Sequence, residues 1–248
     1  DRPREAVQRV NLLAEGDLFP YGQRVERSRA RRSWEELDAR VDLAALRAEV
    51  EAYNRARPLQ LRGLAVMPIC FGISFTNTML NQAGALVHVY TDGSVSVSTG
   101  AVEMGQGVNT KIALITAGTL GVGLDRIRVE STDTTRVANT SPTAASTGAD
   151  LNGAATRIAC AEIVARLRRV AVRELGLEEG AEVTVAGGEV HVDGEASGLE
   201  WERLVAAAHG RRVDLSAHAH YATPRLHFDR TTETGRPFAY HVFGTAAV

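Results

Sequence analysis

The chain has 248 residues, 44% hydrophobic and 23% charged, which suits an ordinary globular protein of one large domain or two small ones. A formal net charge of -2 gives no reason to expect nucleic acid or an anionic membrane as partner. No apolar run approaches the ~20 residues that span a bilayer. The opening Asp1-Arg2-Pro3-Arg4 has no secretory n-region and no initiating Met, and reads as a chain trimmed at its start. The two cysteines, Cys70 and Cys160, are expected to stay reduced as small buried hydrophobes, and no Cys/His cluster has zinc or iron-sulfur spacing.

In chain order, residues 1–60 read as a charged helical connecting segment, and residues 61–248 as one α+β domain. Val7, Val10 and Leu13 fall on one helical face until Gly16-Asp17 and Pro20-Tyr21-Gly22 break the pattern. Ser33 with Glu36 predicts a capping box, and Leu37, Val41, Leu43 and Leu46 an apolar face behind it. The five arginines between Arg24 and Arg32 read as a solvated or subunit-contact face. Leu64–Met67 is a short apolar strand. Residues 85–90 and 94–98, joined at Asp92-Gly93, predict a β-hairpin whose second arm alternates, so that one of its faces is wet.

A helix through Lys111, Leu114 and Ala117 should end at Gly121-Val122-Gly123, and a strand follow at 126–130. The polar stretch 131–146 carries five threonines and runs into the longest helical pattern of the chain. The buried face there is predicted at Leu151, Ala155, Ile158, Cys160, Ile163, Val164 and Leu167, with Gly176 as the stop. A second hairpin is expected at 182–185 and 189–192, a helix around Trp201–Ala207, and further strands to Val248. Strands and helices interleave without regular βαβ units, so the class is α+β, mixed sheets with packed helices.

Two segments share one physical idea. Glu103-Met104-Gly105-Gln106-Gly107 and the run from Asn139 to Gly148 are each a small-residue turn feeding a helix N-terminus. Unpaired backbone N–H groups and the helix dipole there favour an anion or a polar ring edge. Ala144, Ala145, Ser146 and Gly148 let a ligand approach the backbone closely. Ordinary capped helices would look the same, and nothing in this pattern names a ligand. The G-x-G lacks the third glycine of a dinucleotide fingerprint. No nucleophile-and-base pair stands out. His218 and His220 share one side of a predicted strand, where a solvated face is favoured over a metal site.

Beyond these patterns, Phe71-Gly72-Ile73-Ser74-Phe75-Thr76 and Leu80 through Val95 resemble the molybdenum domain of xanthine dehydrogenases. So do Glu103-Met104-Gly105-Gln106-Gly107, and Asn139-Thr140-Ser141-Pro142-Thr143-Ala144-Ala145-Ser146 with Asp150-Leu151-Asn152-Gly153 after it. Tyr221–Pro224 and Phe238–Thr245 are also similar to family segments. The family pattern departs at Gly100-Ala101, where a second glycine is usual, and at Thr147-Gly148-Ala149.

The resemblance implies part of the molybdenum-cofactor-binding domain, in an enzyme that hydroxylates hypoxanthine and xanthine to urate with water as the oxygen source. The cofactor would carry the hard chemistry, and the protein binding, orientation and electrostatics. By motif, Phe75 resembles a phenylalanine that stacks on the purine, and Thr76 a residue that hydrogen-bonds it. Gly105, Gln106, Gly107, Thr143, Ala144, Ala145 and Ser146 resemble molybdopterin contacts, with Ala145 a neighbour of the molybdenum.

No catalytic residue is expected within these 248 residues. The family's Arg-Gly-Phe-Gly-Gly segment would precede residue 1, and the Gly-Glu-Pro-Pro segment bearing the base would follow residue 248. Iron-sulfur clusters and FAD are implied in other domains or subunits of an oligomeric, cytoplasmic enzyme. A related aldehyde-oxidase-type hydroxylase is the alternative, disfavoured by Phe-Gly-Ile-Ser-Phe-Thr. A third reading is that the isolated chain is a non-catalytic module.

Overall fold

The structure is a computed structural model. It describes residue 2 and residues 4–247, with the stretch 241–247 described by its backbone alone. The chain divides into two compact units, one formed by Asp1–Thr78 with Arg225–Val248 and the other by Met79–Pro224.

The first unit opens with α1 (Arg4–Val10), α2 (Ala30–Val41) and α3 (Leu43–Ala56), then β1 (Ala65–Ile73). The sequence expectations for its helices need two corrections. The apolar face predicted on α1 is not buried, since Val7 and Val10 are 46% and 75% exposed. The helix stops before Leu12, and it is Leu12, beyond the helix, that packs on the cluster of Trp34, Leu43 and Val66. The capping box is absent as well. α2 starts at Ala30, so Ser33 lies inside its first turn, and Arg29 provides no side-chain cap. Glu36 instead pairs with Arg32 at 2.7 Å. Burial of Trp34 to 5% exposure sets where the helix lies, outweighing a local cap worth about 1 kcal/mol. The arginines between 24 and 32 are exposed, as a solvated face requires.

The second unit begins with β2 (Gln82–Val89) and β3 (Val95–Thr99), which pair antiparallel across the Asp92-Gly93 turn. Next come α4 (Val108–Leu120), β4 (Ile127–Val129) and α5 (Gly148–Glu174). β5 (Val183–Ala186), β6 (Glu189–Val192) and β7 (Glu195–Glu200) form a three-stranded antiparallel sheet, with α6 (Trp201–Gly210) and β8 (Ser216–Ala222) after it. The main sheet has the order β4-β3-β2-β8, antiparallel except for the parallel pair β3–β4.

Alternation along β2 and β3 sends Val87, Val89, Val95 and Val97 toward one core. They meet Cys160, Ile163 and Leu167 of α5 and Trp201, Leu204 and Val205 of α6 there. The Trp201 indole N–H donates to the Gly93 carbonyl at 2.8 Å, so α6 is tied to the hairpin turn. The wet face expected on β3 does not occur. Ser96 and Ser98 point away from that core but are only 7% and 4% exposed. β3 is an interior strand, and Val137 from the segment after β4 lies over this face beside Gly84. On α5 the predicted buried face is present except at Ile158, which is 38% exposed.

The chain closes in the first unit with β9 (His227–Asp229), β10 (Thr234–Arg236) and β11 (Ala239–Ala247). β11 pairs antiparallel with β1 in register from Ala65↔Ala247 to Ile73↔Ala239. Both cysteines are free. Cys160 is buried in α5, and burial pushes its thiol up to about 12. Cys70 departs from the expectation, because β1 leaves it exposed. No described helix is long and apolar enough to cross a membrane.

Candidate functional site: two adjoining turns in the second unit

The turn before α4 is closed by its own residues. Gly105 and Gly107 take φ of +98° and +77°. Gly107 is the residue at the helix boundary, and its left-handed conformation is one that a side chain would strain. The Glu103 carboxylate folds back over the turn. Its Oε1 accepts from the N–H of Gly105 and of Gly107, each at 2.9 Å, and its Oε2 accepts from Asn109 N–H at 3.0 Å. These backbone donors hold the carboxyl below the usual glutamate range, Asn109 and Gly107 contributing most. The Gln106 amide completes the loop. Its Oε1 accepts from Met104 N–H at 2.6 Å, and its Nε2 donates to the Val102 carbonyl at 2.7 Å.

The turn before α5 is built differently. Ala145 and Ser146 are consecutive non-glycine residues at φ of 48° and 55°, and Asn139 lies at 53°. Each costs strain that the surrounding structure must sustain. Thr147 is the boundary residue of α5 and provides no side-chain cap to the helix. Its hydroxyl donates backward instead, to the Ala144 carbonyl at 3.0 Å. Thr140 lies in the same stretch, and its Oγ1 is buried with no hydrogen-bond partner among the described residues.

These two turns, far apart in sequence, adjoin in space. The Val102 N–H donates to Thr143 Oγ1 at 3.0 Å, and Thr132 Oγ1 donates to the Ala101 carbonyl at 2.9 Å. Asn152, inside α5 and 6% exposed, accepts from Gly100 N–H at 3.2 Å and donates to the Gly148 carbonyl at 2.9 Å. A Cβ on Gly100 would stand 1.8 Å from Thr140 Oγ1, so only glycine lets the two segments approach this closely. Gly105, Gln106 and Gly107 are therefore linked through Val102 to Thr143, and Ala144, Ala145 and Ser146 follow directly. The sequence pattern did not single out Glu103, Val102, Thr140 or Asn152 as connectors. The available signal was Asn152, a polar residue one position from the buried stripe of a long helix.

Phe75 and Thr76 belong to the other compact unit, just beyond β1, and both are half-buried. Ser74 before them is 5% exposed, has φ of 108°, and its hydroxyl has no hydrogen-bond partner among the described residues. That backbone outlier marks the segment as one held under strain. A cavity of about 830 Å³ also lies in the first unit, walled by Leu12, Phe19, Trp34, Met67 and Arg236 among others, and none of the predicted site residues lines it.

His218 and His220 are exposed on β8, and His220 Nε2 lies 3.0 Å from Gln82 Oε1. Among the described residues no group of three or more His, Cys, Asp or Glu side chains is placed to hold a metal.

Comparison with known proteins converges on one family. A molybdopterin cofactor-binding domain model matches residues 36–248. The xanthine dehydrogenase/oxidase of Mus musculus is 41% identical over 244 residues, which is 98% of this chain and 17% of the mouse protein. The xanthine dehydrogenase of Oryza sativa subsp. japonica is 38% identical over 245 residues, 99% of this chain and 16% of that protein. The chain thus spans about a sixth of the length of these relatives.

Among solved structures, quinoline 2-oxidoreductase from Pseudomonas putida 86 superposes with a TM-score of 0.70 at 22% identity, covering 94% of this chain and 30% of that one. A Cu,Mo-CO dehydrogenase superposes at 0.66 with 20% identity, covering 97% of this chain and 32% of that one. At these identities the likeness concerns the fold, and it agrees with the α+β class read from the sequence. The chain belongs to the molybdopterin cofactor-binding domain family and is homologous to one segment of the xanthine dehydrogenases.

Proposed function

We propose that this chain is a segment of a xanthine dehydrogenase, contributing cofactor contacts and one wall of a purine site to an enzyme that converts hypoxanthine and xanthine to urate. The carrying observation is the identity of 41% to the mouse xanthine dehydrogenase/oxidase across 98% of the chain. The purine assignment is supported by Phe71-Gly72-Ile73-Ser74-Phe75-Thr76, which resembles the purine enzymes more than the aldehyde oxidases.

The residues of the two turns fit a molybdenum-molybdopterin group. Thr147 at the start of α5 provides no side-chain cap, Thr140 has a buried hydroxyl in need of a partner, and Ala145 and Ser146 hold a strained backbone beside them. Such a set suits a ligand with anionic and polar edges. Gly105, Gln106, Gly107, Thr143, Ala144, Ala145 and Ser146 would hold the group, with Ala145 as neighbour of the metal. When bound, the group supplies the two-electron redox chemistry of hydroxylation. Gln106 spends one amide hydrogen on Val102 and one lone pair on Met104, which leaves one donor and one acceptor for a ligand. Phe75 would stack on the purine and Thr76 hydrogen-bond its edge. The base belongs to the remainder of the enzyme, as do the iron-sulfur clusters and FAD.

The test is metal and pterin analysis of the full-length enzyme, beside its turnover of xanthine and of an aldehyde. Bound pterin with urate formation supports the reading. Pterin with aldehyde turnover alone moves the chain to the aldehyde-oxidase class, and an enzyme without pterin overturns both. The isolated 248 residues should form no urate, because the family resemblance puts the base outside them. Replacing Phe75 by Ala in the full-length enzyme should raise KM and lower kcat, a loss of about 1–3 kcal/mol of stacking. Unchanged steady-state kinetics would remove Phe75 from the site.

A further inference from the structure

Any α-helix begins with N–H groups that have no intrahelical partner. An ordinary cap is a short side chain at the boundary residue that serves one of them. At α4 the boundary residue is Gly107, which has no side chain to offer. Glu103, four residues earlier, reaches across the whole turn and binds at Gly105, Gly107 and Asn109, at 2.9, 2.9 and 3.0 Å. It therefore fastens the loop to the helix, where an ordinary cap would fasten only the helix. The same closed loop places Gln106, whose amide holds Met104 and Val102, and Val102 in turn donates to Thr143 of the second turn.

We infer that Glu103 is a positioning residue for the cofactor site: its carboxylate closes the first turn from within and so sets Gln106 and the distance to Thr143. This rests on the reading that the two turns hold the molybdopterin. It also assigns the turns different ligand chemistry. With Glu103 already on its donors, the α4 end has no need of an outside anion. What it presents is the spare donor and acceptor of Gln106, a match for a neutral polar edge such as that of a pterin ring.

The experiment compares wild-type full-length enzyme with Glu103→Ala, Glu103→Gln and Glu103→Asp. The readouts are the rate of pterin loss, followed by fluorescence of the released pterin, amide hydrogen exchange at Gly105, Gly107 and Asn109, and the thermal midpoint. Glu103→Ala should lose pterin about tenfold faster, with faster exchange at those three amides, because charge-assisted hydrogen bonds are lost together. Added acetate should slow the loss from Glu103→Ala by supplying the missing carboxylate, and leave Glu103→Gln unchanged, since its amide fills the space. Glu103→Asp, one methylene short of spanning the turn, should fall between wild type and Glu103→Ala.

The pH profile is a further readout. Glu103 is held below its ordinary value in the folded protein, so its hold is complete above the unfolded value of ~4.3 and fades as pH falls through the lower folded one. Wild-type pterin loss should accelerate over that acid range, and the extra limb should vanish in Glu103→Gln. Wild-type retention in Glu103→Ala, or a loss that acetate cannot reverse and that only tracks the thermal midpoint, overturns the inference. Wild-type enzyme that carries no pterin defeats the underlying functional reading instead.

Discussion

The turn before α4 and the turn before α5 lie side by side, joined from Val102 N–H to Thr143 Oγ1 at 3.0 Å, yet their chemistry is opposite. The first relaxes its backbone with glycine at φ of +98° and +77°, and satisfies its helix with the chain's own carboxylate. The second holds alanine and serine at φ of 48° and 55°, and its boundary residue Thr147 provides no side-chain cap. Similar composition, small residues ahead of a helix, thus conceals one turn whose helix end is held by its own carboxylate and one that has strain and a buried hydroxyl without a partner among the described residues. Unsatisfied groups and backbone strain are costs that a bound partner can offset.

Four substitutions, from the largest expected effect to the smallest, would break or sharpen that contrast. Gly100→Ala attacks the contact between the turns. Its Cβ would stand 1.8 Å from Thr140 Oγ1 and 2.4 Å from Thr140 Cβ. A stability loss of about 2–3 kcal/mol is expected from the urea midpoint, with recovery when Thr140→Gly is added. No loss in the single variant would mean that the two segments are free to separate.

Gly107→Ala, at φ of +77°, should cost about 1 kcal/mol through strain alone, because nothing lies within 4 Å of the new Cβ. Thr143→Val keeps the shape but removes the acceptor for Val102 N–H, and is expected to cost about 0.5–1.5 kcal/mol. A neutral result would show that water replaces the hydroxyl without penalty.

Ala145→Gly should have the opposite sign. Relief of left-handed strain slightly exceeds the added freedom of the unfolded chain, for a gain of about 0.5 kcal/mol in the same urea measurement. Faster pterin loss in that stabilised variant would identify the strain as part of the binding surface. Unchanged retention would leave it a feature of the fold alone.

Much of the second unit was legible in the amino-acid order. The Asp92-Gly93 hairpin, the long helix ending near Gly176 and the second hairpin follow from local turn chemistry and periodicity, and all are present. The first unit was less legible. Its α1 is short and exposes its apolar residues, and burial of Trp34 displaced the cap expected at Ser33. At Ser33 a long-range contact outweighed a local preference worth about 1 kcal/mol, whereas on α1 the expected helix formed and Val7 and Val10 stayed exposed. β3 was read correctly as a strand and wrongly as half-wet, because alternation specifies two faces but not what covers the second.

By itself, then, the sequence determined the family, the α+β class and the two small-residue turns, because motif order, turn residues and hydrophobic period are local properties of the chain. It could not show that Glu103 holds the first helix end while Thr147 gives the second no side-chain cap, or that Gly100 and Thr140 interlock. Those facts depend on side-chain reach and on hydrogen bonds between residues far apart in the chain. Only the folded arrangement decides which backbone groups are already satisfied, and so which groups each of two similar turns has left to offer.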